Sequence, residues 1–209
     1  MKTNAFPVSY ELVPAEEITS RISRLQKELA KNGLDGAMIL DSVNMFYYAG
    51  TMQNGVLFVP AENPPAFFIR RSLERAKRET PIKLFIPFRS FRELPGRLQD
   101  FGCAMSRIGV DETSIPVSVF NRLLGTFPDT IFEDISFSLS KIRAVKSDYE
   151  VGLIREAGKR HQRIYDQIPG MIEKGMTEWD LGSAVHASML KLDFTGLGRL
   201  AAFKQRRFF

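Results

Sequence analysis

The sequence predicts an α/β fold, a mixed sheet flanked by helices, followed by a shorter and purely helical part. Three observations carry this reading. Apolar runs of strand length alternate with charged, helix-compatible segments between residues 37 and 132. Two of the runs, Val56–Val59 and Ala66–Ile69, are separated only by Pro60-Ala61-Glu62-Asn63-Pro64-Pro65, a hairpin pattern that makes the sheet mixed rather than all parallel. From about Ile135 to Leu192 no further strand-like run occurs.

Each element has a local reason. Between Pro14 and Asn32, Ile18, Ile22, Leu25 and Leu29 recur at helical spacing, with Arg21, Arg24, Lys27, Glu28 and Lys31 as the polar surround. Asn32-Gly33 ends that helix, because glycine takes the left-handed conformation without a Cβ clash. Ala37–Leu40 is the first strand and runs into Asp41-Ser42. Beyond the hairpin, strands are expected at Leu84–Ile86, Ile108–Val110 and Thr130–Phe132, and helices at Arg71–Glu79, Ser90–Phe101 and Val117–Leu124. Ser147 with Glu150 forms the pattern of a capping box. Behind it Val151, Ile154, Ala157, His161, Ile164 and Ile168 lie on one stripe, until Pro169-Gly170 should break or bend the helix. Gly175–Asp180 turns into a last helix from Glu178 to about Leu190, with Trp179, Ala184, Val185 and Met189 as its candidate buried residues. The organisation read from this is a domain over 1–138, a linker over 139–146, and over 147–209 the start of a second domain, whose two single-striped helices bury too little surface to form a core alone.

Composition narrows the function classes. Hydrophobic residues at 44% and charged residues at 25% exclude a disordered or disulfide-scaffold chain. A net charge of +5 over 209 residues is too weak a field to indicate nucleic-acid binding. No apolar run reaches the ~20 residues of a membrane helix, and the N-terminus lacks the apolar core of a signal peptide, so a cytoplasmic protein is expected.

The residue types that do chemistry are sparse. His161 and His186 sit in no metal-binding spacing, and Cys103 has no histidine near it in sequence, so a helix-face role for the histidines and a buried structural role for the thiol are favoured. Phosphate loops and nucleophile elbows are missing from the sequence. Asp41 and Asp111-Glu112 follow strands, where an α/β sheet places its ligands but where Asp also caps turns; capping is the stronger reading. The basic groups around Arg70–Arg78 and Lys141–Arg163 are interleaved with glutamates, as on solvated ion-paired faces.

Three stretches together resemble the creatinase / prolidase / aminopeptidase P family of pita-bread enzymes over about residues 16–198. They are Arg21–Leu25 through Gly33–Leu40; the Asn44-Met45-Phe46-Tyr47-Tyr48-Ala49-Gly50 turn; and Arg143-Ala144-Val145-Lys146-Ser147 with Glu150, Arg155 and Ala157, followed by Gly175–Glu178. The resemblance implies a creatinase-type N-terminal domain and the opening helices of a truncated pita-bread domain. Full-length members cleave Xaa-Pro bonds with two divalent metals such as Mn or Co, held by ligands that lie downstream of these helices, or hydrolyse creatine without metal. No catalytic or metal-binding residue is therefore carried over, and the chain itself is expected to be inactive. The ending Lys204–Phe209 departs from the family pattern. A homodimer is expected, through the N-terminal domain or through the apolar stripes of helices 147–168 and 178–190, which lack a sheet to cover. By resemblance only, Asn44, Phe46 and Tyr47 are expected to help shape a partner's substrate pocket, with core packing the stronger reading for these residues. Proline-containing peptides would be substrates only of a full-length form. The alternative is a stand-alone protein-interaction module descended from the family.

Overall fold

The computed structural model describes residues 12–192 apart from 101 and 103, so Cys103 and the segment from Asp193 to Phe209 lie outside the described residues. In chain order the elements are α1 (Ala15–Lys31), β1 (Gly36–Ile39), α2 (Ser42–Ala49), β2 (Gly55–Pro60), β3 (Ala66–Ile69), α3 (Leu73–Glu79), β4 (Leu84–Pro87), a 3-10 turn (Phe91–Glu93), α4 (Leu94–Asp100), β5 (Arg107–Val110), α5 (Val117–Thr126), β6 (Ile131–Asp134), α6 (Ser136–Ala144), α7 (Asp148–Met171) and α8 (Glu178–Lys191). They divide into two compact units, with the boundary between Val145 and Lys146.

In the first unit the described strands form a six-stranded sheet in the order β4-β3-β2-β1-β5-β6. β2 pairs antiparallel with both β1 and β3, which is the expected hairpin, while β1–β5, β5–β6 and β3–β4 are parallel. Every strand except β2 thus runs in one direction, and the carboxyl ends of five strands share one edge. Both faces of the sheet are covered, as period-2 alternation along the hairpin requires. Leu57, Val59, Phe67 and Ile69 join a core beneath α1, α2 and α6. Val56, Phe58, Ala66 and Phe68 join a second core with Leu94 and Leu98 of α4 and Leu123 of α5.

The apolar stripe of α1 lies where the periodicity puts it, with Ile18, Ile22, Leu25 and Leu29 buried. Arg21, expected on the polar surround, is instead 4% exposed. Burial of its guanidinium is offset by Glu17 at 2.8 Å, by the Tyr47 carbonyl at 2.9 Å and by the Tyr47 ring at 4.2 Å. Beside it Tyr48 is fully buried and its hydroxyl lacks a hydrogen-bond partner. Burial and the neighbouring Tyr47 hold that phenol well above its ordinary pKa. Tyr48→Phe removes a polar atom that was desolvated without compensation, so it is expected to leave stability unchanged or raise it by about 1 kcal/mol. Chemical denaturation of the two proteins measures this, and a loss of 1 kcal/mol or more would mean that the hydroxyl has a partner.

Two expectations are revised at the unit boundary. The stretch 139–146 expected as a linker is mostly α6, because Leu139 and Ile142 are buried in the first core. The first unit therefore runs to Val145, beyond the expected limit at 138. The second unit opens on the expected Ser147–Glu150 capping box, and α8 on a second box formed by Thr177 and Asp180. α7 continues through Pro169 to Met171. A proline so near the end costs one carbonyl its partner just where the helix stops. Along α7 and α8, Ile164 and Ser188 are the buried residues, with Gln167 accepting from the Ser188 hydroxyl at 2.6 Å. Trp179, expected to be buried, is 87% exposed, and Ile154 is 56% exposed. Two helices packed along one line can cover no more than that line.

Candidate functional site

The family-like heptapeptide Asn44–Gly50 is helix rather than turn: it fills most of α2 and ends at Gly50. Asp41, two residues after β1, caps this helix, and its carboxylate accepts the Asn44 backbone N–H at 2.8 Å and the Asn44 side-chain amide at 2.9 Å. Gly50 closes the helix at φ 71°, a left-handed conformation suited to glycine. Capping therefore accounts for Asp41, as expected.

Asn44 is 1% exposed and ties three elements together. Its amide also donates to Asp111 after β5 at 2.9 Å, and its Oδ1 accepts from Arg143 of α6 at 3.3 Å. Asp111 in turn accepts from the Thr113 hydroxyl at 2.7 Å, from the Thr113 and Ser114 N–H groups, and from the Ser136 hydroxyl at 2.8 Å. The same hydroxyl lies within hydrogen-bonding distance of Asp134 at the end of β6, so its one proton is shared between the two carboxylates. Burial pushes the Asp111 carboxyl up, but the hydrogen bonds from Thr113, Ser136 and Ser114 outweigh it and hold the group below its ordinary value. The carboxyl ends of β1, β5 and β6 thus converge on a saturated polar network with the ionised Asp111 at its centre. Such a network fixes geometry and has little capacity to move a proton.

What it fixes is α2. Tyr47 is 8% exposed, its hydroxyl accepting from Arg24 at 3.3 Å, with Arg143 6.0 Å above its ring. The sequence placed Arg24 and Arg143 on solvated faces, and the one signal against this was the proximity of Arg21 and Arg24 on one side of α1. Phe46, by contrast, is 46% exposed. It lines a groove of about 650 Å³ with Leu12, Met52, Gln53, Arg75 and Glu79. Glu79 braces the rim, accepting from Thr51 at 2.6 Å, Gln53 at 3.1 Å and Arg75 at 2.5 Å. Of the three residues singled out from the sequence, Asn44 and Tyr47 are internal supports and Phe46 is the one presented. An apolar floor with a polar rim suits recognition of a peptide or protein surface.

A match to the family model of the Creatinase/Prolidase N-terminal domain covers residues 21–145, nearly the whole of the first unit. Among similar proteins, the creatinase of Bacillus sp. (strain B-0618) is 23% identical over 186 residues, 83% of this chain and 44% of creatinase. The Xaa-Pro dipeptidase from Bacillus anthracis superposes with a TM-score of 0.74 at 20% identity, over 83% of this chain and 49% of that one. The N-terminal domain of the cytoplasmic peptidase PepQ from Mycobacterium tuberculosis superposes with a TM-score of 0.52 at 24% identity, over 59% of this chain and 98% of that one. The chain spans about half the length of the curated relatives it matches. With the mixed sheet, its flanking helices and the α2 corner in place, the chain belongs to the Creatinase/Prolidase N-terminal domain family.

Proposed function

We propose that the chain acts as the N-terminal part of an Xaa-Pro peptidase-like protein, pairing subunits and shaping the approach to a neighbour's substrate pocket through Phe46. The observation that carries this reading is the exposed Phe46 on a helix that a buried polar network holds in place. The cytoplasm is the compartment that goes with it. The reading assigns no metal to these residues: among the described ones, no group of three His, Cys, Asp or Glu side chains is arranged to hold an ion. His161 on α7 and His186 on α8 are both exposed.

Two measurements on the 209-residue chain test the proposal. An Xaa-Pro dipeptide with added Mn²⁺ should release no N-terminal residue, and turnover copurifying with the chain would overturn this. Light scattering should give twice the chain mass, with Phe46→Asp shifting the population towards monomer. A wild-type monomer that persists at all concentrations would remove the pairing role and favour a stand-alone module.

A further inference from the structure

The edge that carries the acidic corner at β1, β5 and β6 has the opposite character at β3 and β4. Arg70 directly follows β3 and Arg89 follows β4 by two residues. Because these two strands are parallel neighbours, their carboxyl ends bring both arginines to one place. Arg92 stands in the 3-10 turn, and Arg122 comes from α5. All four line a cavity of about 480 Å³ together with Ser90 and Phe91. The wall is anchored: Phe91 packs edge-on against the buried Phe88 at 5.9 Å, and the Arg122 guanidinium lies 5.5 Å over the Phe91 ring.

These four guanidinium groups differ from three other arginines of the unit in lacking a carboxylate partner. Arg21, Arg75 and Arg107 have glutamate partners at 2.5 to 2.8 Å. Among the described residues, no ion pair is formed by Arg70, Arg89, Arg92 or Arg122, and no Asp or Glu lines their cavity. The nearest acid in sequence, Glu93, is committed to the backbone, accepting the N–H groups of Ser90 at 3.1 Å and Arg89 at 3.4 Å in a capping box. Four exposed guanidinium groups around one cavity sum to a positive potential, which an anion of more than one charge complements better than a monovalent one. The planar fork of arginine matches phosphate oxygens bidentately.

We propose that this cavity binds the diphosphate group of a small molecule. Its volume lies within the range of small-molecule sites, and its cationic lining exceeds what a single phosphate needs. A nucleic-acid strand is disfavoured because stacking needs open aromatic faces in series, whereas the ring here carries Arg122. The inference does not depend on the peptidase-like reading, since it concerns a different stretch of the sheet edge from the Phe46 groove.

Titration calorimetry of the full chain at physiological salt tests it with inorganic pyrophosphate, ADP, inorganic phosphate and a 20-nucleotide single strand as probes. Pyrophosphate or ADP should bind once per chain with a Kd below about 1 mM, and inorganic phosphate at least tenfold more weakly. Tighter ADP would identify an organic diphosphate, and tighter pyrophosphate the free ion. Arg89→Ala and Arg122→Ala should each weaken binding about tenfold. Arg122→Lys, which keeps the charge and loses the fork, should weaken it severalfold, and Arg97→Ala, at an exposed position of α4, less than twofold. Thermal melts of each variant confirm that it is folded. Equal losses at Arg97 and Arg122 would mean a diffuse field and overturn the site. So would absence of binding, or a strand that binds more tightly than the diphosphates through the same arginines.

Discussion

Phe58→Ala is expected to destabilise the first unit by about 3–5 kcal/mol, the usual range for removing a buried phenylalanine from a core that cannot collapse around the gap. Phe58 is fully buried on β2, in the middle of the hairpin, and belongs to the core that includes Phe68, Phe88, Leu94 and Leu123. Its ring also lies against Gly36 on the paired strand β1, where any Cβ would collide with it. The loss is a large share of the 5–15 kcal/mol that a domain commands, so the denaturation midpoint should fall steeply. Phe46→Ala supplies the contrast: with its side chain 46% exposed, it should cost about 0.5 kcal/mol or less. Urea titration of both variants, followed by a probe in the first unit, measures the difference. Equal losses would mean that Phe46 is a core residue and that the groove beside it is an artefact of packing elsewhere.

That contrast also marks what the sequence could and could not reveal. The strands were legible because a sheet buried on both faces demands short continuous apolar runs, and Val56–Val59 and Ala66–Ile69 are such runs with a turn between them. The N-terminal helix was legible for the same reason at a period of 3.6. The heptapeptide from Asn44 was placed but its shape was not, since a dense aromatic stretch satisfies helix and turn alike until Asp41 is seen capping it. Long-range polar pairing left no local trace. Arg21 is buried because Tyr47, 26 positions away, offers both a carbonyl and a ring. Arg143 reaches Asn44 across 99 positions. Trp179 failed in the other direction, because an apolar residue is buried only if something packs over it.

The sheet edge shows the same limit on a larger scale. Asp41, Asp111 and Asp134 are far apart in sequence, and so are Arg70, Arg89 and Arg122. The strand order β4-β3-β2-β1-β5-β6 separates Asp41, Asp111 and Asp134 from Arg70 and Arg89, and Arg122 joins the basic group from α5. The two halves also differ in their state. In the acidic half Asn44, Thr113, Ser114 and Ser136 supply the donors, so the charges are absorbed within the fold. In the basic half the guanidinium groups remain available.

Asp111→Ala is the sharpest test of that acidic half. It should cost about 2–4 kcal/mol at neutral pH, because the Thr113 and Ser114 N–H groups and the Asn44 amide all lose a charged acceptor at a position only 6% exposed. The sign of the pH dependence follows from the direction of the shift. The Asp111 carboxyl is held below its ordinary value in the folded chain, so its contribution is complete above the unfolded carboxylate pKa and is lost as pH falls through the folded one. Wild type and variant should therefore converge in stability under acid, while their gap stays constant from about pH 6 upwards. Because Asp111 supports Asn44, the same substitution should also loosen α2, seen as faster amide exchange at Met45 and Gly50, whose N–H groups donate to the Asp41 and Phe46 carbonyls. Denaturant midpoints at several pH values, read beside hydrogen exchange, decide it. A gap that widened in acid, or an α2 exchanging no faster than in wild type, would mean that the corner is a set of independent caps rather than one network holding Phe46 on display.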